Sequence, residues 1–194
     1  MMANTVSAQD SPRRIESMAA VSVRPAEKDL LQRCLDGERL AQKQLYTQYS
    51  QAMFTLAFRI TNNHDLAHDV LQEAFIEVFR DLKNFKGIST LGAWIKTIVV
   101  RKAGKQTKFE QRFESFDDKH DIGIPYHQFT SQALEREILN LPEGYRTVFT
   151  LVEVEGYKHT EIAQMLGISE STSRTQLYHA KRVLREKLAN EWEG

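Results

Sequence analysis

A single cysteine, Cys34, stands in the whole chain. One thiol excludes an internal disulfide and any multi-cysteine zinc site, and it suits a reducing compartment. Its neighbours Leu30, Leu31 and Leu35 mark it as a buried helix position rather than a reactive thiol. Proline is scarce at 4 residues and glycine numbers only 9, which excludes collagen-like and low-complexity architectures. No apolar run approaches the roughly 18 residues of a membrane-spanning helix, and Met18-Ala19-Ala20-Val21 is too short for the apolar core of a signal peptide. The expected location is the cytoplasm, with no membrane insertion. Phosphate-cradling glycine loops, nucleophile elbows and zinc-hydrolase motifs are missing too, so no motif calls for a catalytic residue, a cofactor or a metal.

Net charge is also missing, since 26 Lys+Arg face 26 Asp+Glu, but the average hides an uneven distribution. Residues 29–106 hold 11 basic against 8 acidic side chains, and residues 107–130 hold 3 against 5. Residues 131–170 hold 3 against 7, and residues 171–194 hold 5 against 3. Positive charge gathered on chosen elements suits a protein that touches phosphates with some surfaces and a protein partner with others.

What the sequence does contain is helical periodicity. Residues 1–28 show none and read as a mobile leader, with Ser11-Pro12-Arg13-Arg14 and Arg24-Pro25 in it. From Asp29 a short apolar set runs to Leu35. A second helix carries Leu45, Met53, Phe54, Ala57 and Ile60 and ends near Asn62-Asn63. The third is the cleanest: Ala67, Val70, Leu71, Ala74, Phe75, Val78, Phe79 and Leu82 recur at steps of three and four. Its other face holds His68, Asp69, Gln72, Glu73, Glu77, Arg80 and Asp81. A loop over 83–89 leads to a fourth helix from near Thr90, whose last turns are basic. Residues 107–130 break the pattern and read as a linker. Residues 131–190 resume it, with Pro142 at a helix start and two helices parted by Gly167-Ile168-Ser169. The expected fold is all-α: two small helical domains, 29–106 and 131–190, on a flexible linker.

The segment 160–177 has helix-turn-helix spacing. Ala163 is small where two helices cross, Gly167 can take the left-handed turn conformation, and Ile162, Leu166, Ile168 and Leu177 close the core. Ser169 can cap the second helix, which would enter a major groove with Glu170, Ser171, Arg174 and Thr175 outward. Lys181, Arg182 and Arg185 extend a basic stripe toward phosphates.

The chain resembles the extracytoplasmic-function (ECF) group of bacterial sigma factors. The resemblance rests on Asp69-Val70-Leu71-Gln72-Glu73-Ala74-Phe75, Asn84-Phe85-Lys86-Gly87, Ala93-Trp94-Ile95, Leu141-Pro142-Glu143-Gly144-Tyr145-Arg146 and the helix-turn-helix, in the family's order. It implies a specificity subunit that joins core RNA polymerase, reads two promoter DNA elements and helps to melt the downstream one. It also leaves room for an anti-sigma factor as a further partner. On this resemblance Asp69, Gln72 and Glu73 dock on polymerase. Asn84, Phe85, Lys86, Gly87 and Ile88 form the specificity loop for a flipped base, with Lys96, Arg101, Lys102 and Lys105 as nearby cations. Trp94 either supports the loop from the core or stacks on DNA. Three departures stand out: Arg101 where many relatives have Asn, Lys158 where Ser or Thr commonly caps a helix, and Ser173 in a usual Val position. Two rival readings remain, a free-standing dimeric helix-turn-helix regulator and an all-α metalloenzyme centred on His64 and His68. For those histidines, four residues apart, a solvated helix start is the simpler reading.

Overall fold

Short polar side chains and left-handed residues set the helix boundaries in the computed structural model, which describes residues 25–106 and 131–190. Helix α1 (Pro25–Leu35) begins inside the expected leader, with Pro25 at a first helical position where its missing N–H is harmless. Helix α2 (Arg39–Thr61) stops at Asn62, which takes φ 50° and donates its backbone N–H to the Phe58 carbonyl at 2.7 Å. Helix α3 (His64–Asp81) starts where the Asn63 side chain accepts the Leu66 N–H at 3.0 Å. After one 3-10 turn (Leu82–Asn84), the Thr90 hydroxyl accepts the Ala93 N–H at 3.2 Å and opens α4 (Leu91–Gln106).

The second unit comprises α5 (Ser131–Leu139), α6 (Glu143–Phe149), a π-turn (Thr150–Val154), α7 (His159–Leu166) and α8 (Glu170–Asn190). The expected boundaries at Asn62 and Gly167 hold, and the π-turn is new. The expected linker, 107–130, lies outside the described residues, as do residues 1–24.

Packing follows the periodicity. Ala67, Val70, Leu71, Ala74, Phe75 and Val78 of α3 are all buried against α2 and α4, together with Leu45, Ile60, Ile95 and Val99. Cys34 is buried there too, and burial pushes its thiol pKa up, which opposes thiolate formation. In the second unit Leu141, Phe149, Ala180, Leu184 and Leu188 form a smaller cluster.

The two units do not stand apart. Val148, Leu151 and Ile162 join the cluster of the first unit, where α6 meets α2 and α7 meets α4. The approach is close: a Cβ on Gly104 would lie 2.6 Å from Leu166 Cδ2. Polar fasteners rim this seam. The Arg146 guanidinium is only 6% exposed, donating through Nε to the Ile60 carbonyl at 3.2 Å. Its Nη1 donates to the Leu139 carbonyl at 3.1 Å and the Leu141 carbonyl at 2.7 Å. The cation thus sits at the C-terminal ends of α2 and α5, where carbonyls and helix dipoles are negative. Burial lowers its pKa, but arginine remains charged. Asn62 Nδ2 adds a bond to the same Leu139 carbonyl at 3.0 Å.

Candidate nucleic-acid interface

The outer face of α3 turns Asp69, Gln72 and Glu73 to solvent, as a helix buried on its opposite stripe must. Between them and the helix end stands Ile76, 68% exposed. Its position in the i, i+3, i+4, i+7 series from Asp69 was the available signal, but an apolar residue on a polar face is easily read past. An exposed isoleucine framed by carboxylates and an amide is the composition of a docking surface with a small apolar centre. Glu73 and Glu77 reach toward α4: Lys102 Nζ lies 3.5 Å from Glu73 and 3.2 Å from Glu77, and Arg101 Nη2 lies 3.1 Å from Glu77. The acidic face of α3 and the basic end of α4 are thus electrostatic neighbours.

The loop after α3 is shaped by its 3-10 turn, which directs Phe85 inward onto Trp94, with ring centroids 5.4 Å apart. Trp94 packs against the core, so it supports the loop from beneath. Asn84, Lys86 and Ile88 are exposed, and Gly87 takes φ 67°. Between this loop and α1 lies a shallow cavity of about 310 Å³, lined by Lys28, Leu31, Gln32 and Leu35 opposite Phe85, Lys86 and Gly87. Sequence reasoning gave α1 no part in this site. On α4, Lys105 is exposed, whereas Lys96 points back to the second unit and pairs with Glu155 at 2.5 Å.

The helix-turn-helix is built as its spacing requires. Gly167 takes φ 69°, which lets Ile168 donate its N–H to the Ala163 carbonyl at 3.2 Å. The Ser169 hydroxyl accepts the Thr172 N–H at 2.9 Å and caps α8. At the start of α7 the Glu161 carboxylate accepts the Lys158 backbone N–H at 2.8 Å, half of a capping box that needs nothing from the lysine side chain. Ser173 is fully buried and shares a 2.8 Å hydrogen bond with His159 Nδ1, so its hydroxyl is satisfied where valine would need no partner. Burial, followed by Arg174, lowers the His159 pKa.

One outward placement is corrected. Thr175 is only 8% exposed, because α5, α6 and α7 all pack on α8 and widen its buried arc to include Thr175, Gln176 and His179. Ser171, Arg174 and Arg182 are exposed, Glu170 pairs with Arg174, and Arg185 is partly covered. Lys181 is half-buried and lies 3.1 Å from Glu153.

His64 and His68 meet edge to face beside Phe54, and among the described residues no group of three His, Cys, Asp or Glu is placed to hold a metal ion. No described helix is long and apolar enough to cross a membrane.

Two family models match the chain in succession. Residues 45–113 match the model of sigma-70 region 2, and residues 131–184 match that of sigma-70 region 4. The ECF RNA polymerase sigma-E factor of Haemophilus influenzae is 27% identical, covering 84% of this chain and 95% of its own. The sigma-E factor of Escherichia coli is 28% identical, covering 82% and 92%. Among solved structures, the sigma factor RpoE of Bartonella quintana, in complex with the anti-sigma factor NepR, shares the fold with TM-score 0.50 and 22% identity. It covers 76% of this chain and 96% of that one. Two sigma-70 regions in order, similarity to sigma-E factors over more than four fifths of the chain and, among the described residues, an all-helical fold with a helix-turn-helix place this chain in the ECF group of the sigma-70 family, whose work is promoter-specific initiation of transcription.

Proposed function

We infer that the chain docks on core RNA polymerase through the α3 face, with Asp69, Gln72 and Glu73 as charge-assisted partners of basic groups and Ile76 as the apolar centre. The polymerase performs the chemistry, and this subunit supplies address and strand opening. The observation that carries this reading is the joint geometry of one exposed polar face with an apolar centre, a loop-and-cavity site and a capped helix-turn-helix on a single chain.

The downstream element is read by the loop 84–88. Extracting a base from the duplex costs a few kcal/mol, which a cavity such as that between α1 and Phe85 and the cations Lys96, Arg101, Lys102 and Lys105 would offset. The upstream element is read by the N-terminal turns of α8, where Ser171 and Arg174 face outward and Arg182 and Arg185 follow the backbone. An anti-sigma protein, as in the complex of the Bartonella quintana relative, is a further partner of this reading. The test is co-purification with core polymerase followed by run-off transcription from a promoter selected by overproducing the protein. Specific transcripts are expected, and a protein that binds a palindrome without polymerase would sink the assignment.

A further inference from the structure

The first turn of α8 carries a carboxylate on the side that meets DNA in the reading above. Glu170 opens that helix, and Arg174 stands four residues on, one turn further along the same face. The Arg174 guanidinium donates through Nη2 to Glu170 Oε1, with side chains 47% and 40% exposed. An exposed pair of this kind adds little to stability, because water screens it and two long side chains lose freedom in making it. Helix stability therefore does not account for the carboxylate. In a major groove, among phosphates and base acceptors, an unpaired carboxylate would moreover be repelled.

The backbone beneath the pair is fixed. The Ser169 hydroxyl accepts the Thr172 N–H and shares a second bond with Thr172 Oγ1 at 2.7 Å, while the Ser169 carbonyl accepts the Ser173 N–H at 3.1 Å. Buried Ser173, through its bond to His159 Nδ1, ties this turn to the start of α7. Glu170 and Arg174 both lie close enough to His159 to act on its imidazole, in opposite senses. The pair thus sits where α7 and α8 meet. A guanidinium otherwise swings on a flexible stem, but here one N–H is held by the carboxylate and the others stay free for a base edge.

We propose that Glu170 is a positioning residue that fixes the plane of the Arg174 fork and thereby sets a guanine preference at one upstream base pair. This rests on the upstream-element reading inferred above. Guanine O6 and N7 are the major-groove acceptors that a planar fork matches. A fork already held in place has less ordering left to do on binding. It also loses the freedom to turn toward a neighbouring base or a phosphate, so wrong sequences are disfavoured.

The experiment uses holoenzyme reconstituted from the full chain and core polymerase. Its template is the promoter selected by overproduction, with the upstream element randomised and each template tagged in its transcribed region. Sequencing the run-off transcripts gives the base preference at every position. Wild type is expected to favour guanine about tenfold at one base pair, the discrimination of one bidentate contact, and Arg174→Ala should erase it. Glu170→Ala should cut the preference at that same base pair to about twofold, with more transcription from the disfavoured bases. Glu170→Gln, whose amide oxygen still accepts from the guanidinium, should fall between wild type and Glu170→Ala. Glu170→Ala with Arg174→Ala should be no worse than Arg174→Ala alone, and Glu135→Gln, an exposed carboxylate on α5, should change nothing. An intact preference in Glu170→Ala would overturn the proposal. So would a loss at a different base pair, which would make Glu170 a base reader in its own right. Equal effects of Ala and Gln would also overturn it, since charge alone would then be at work. Thermal melts of Glu170→Ala should match wild type, and if they do not, Glu170→Gln decides the matter. No base preference anywhere in the wild-type upstream element would remove the upstream reading itself, and the proposal with it.

Discussion

Arg146 shows how much one side chain can organise. Its planar fork serves three carbonyls from two helix ends, and lysine, with a single compact ammonium, cannot span them. Arg146→Lys is therefore expected to lower stability by about 1–3 kcal/mol, the cost of leaving buried acceptors unpaired, as read by denaturant unfolding. His159 supplies a pH dependence. Its pKa is depressed below about 6.5, chiefly by burial, then by Arg174 and Lys181, against the opposing pull of Glu170 and Glu153. A depressed imidazole means that the unfolded chain binds more protons in the window just below pH 6.5. The resulting stability is present above that pH and is lost as pH falls through the folded value. Thermal melts from pH 7.5 to 5 should show the loss, and His159→Gln should flatten it.

At the scale of elements, α3 and α8 make separable statements. Ile76 is exposed, so Ile76→Ala should leave stability within about 0.5 kcal/mol while weakening core polymerase binding by about 1–2 kcal/mol, measured by titration of labelled protein. On α8, Arg174→Ala should change discrimination at one or two upstream base pairs by about 1–3 kcal/mol. Arg182→Ala should weaken all promoter sequences alike. Uniform loss in both would place Arg174 on a phosphate. These elements were the readable part of the sequence. The α3 stripe, the Gly167 turn and the Ser169 cap are local consequences of period and side-chain chemistry, so they were visible without coordinates. The burial of Thr175 was not, because it depends on three helices converging on α8, and neither was the part played by α1 in the loop cavity. Ile76 was hidden for the opposite reason: hydrophobicity alone directed attention to the buried stripe.

The whole molecule departs most from what its sequence displays. Periodicity marks each helix but cannot tell whether two helical units touch, since Val148, Leu151 and Ile162 would serve an internal core as well as a shared one. The Lys96–Glu155 pair across the seam was equally illegible, because charge counts record sign and not distance.

That shared core has a calorimetric consequence. If the residues that finish the first unit's interior come from the second, neither interior can empty while the other stays filled. Heating should therefore give one endotherm, with van't Hoff and calorimetric enthalpies equal, rather than the two steps expected of independently tethered domains. Destabilising the second unit by Ile162→Ala, at a cost of about 2–5 kcal/mol, should move the entire endotherm downward. Scanning calorimetry that instead resolved a fixed high-temperature peak would show that the first unit melts alone. Synthesis runs in the same direction: the first unit's interior stays incomplete until the polypeptide past Ile162 has emerged, so its final consolidation waits for the chain's far end.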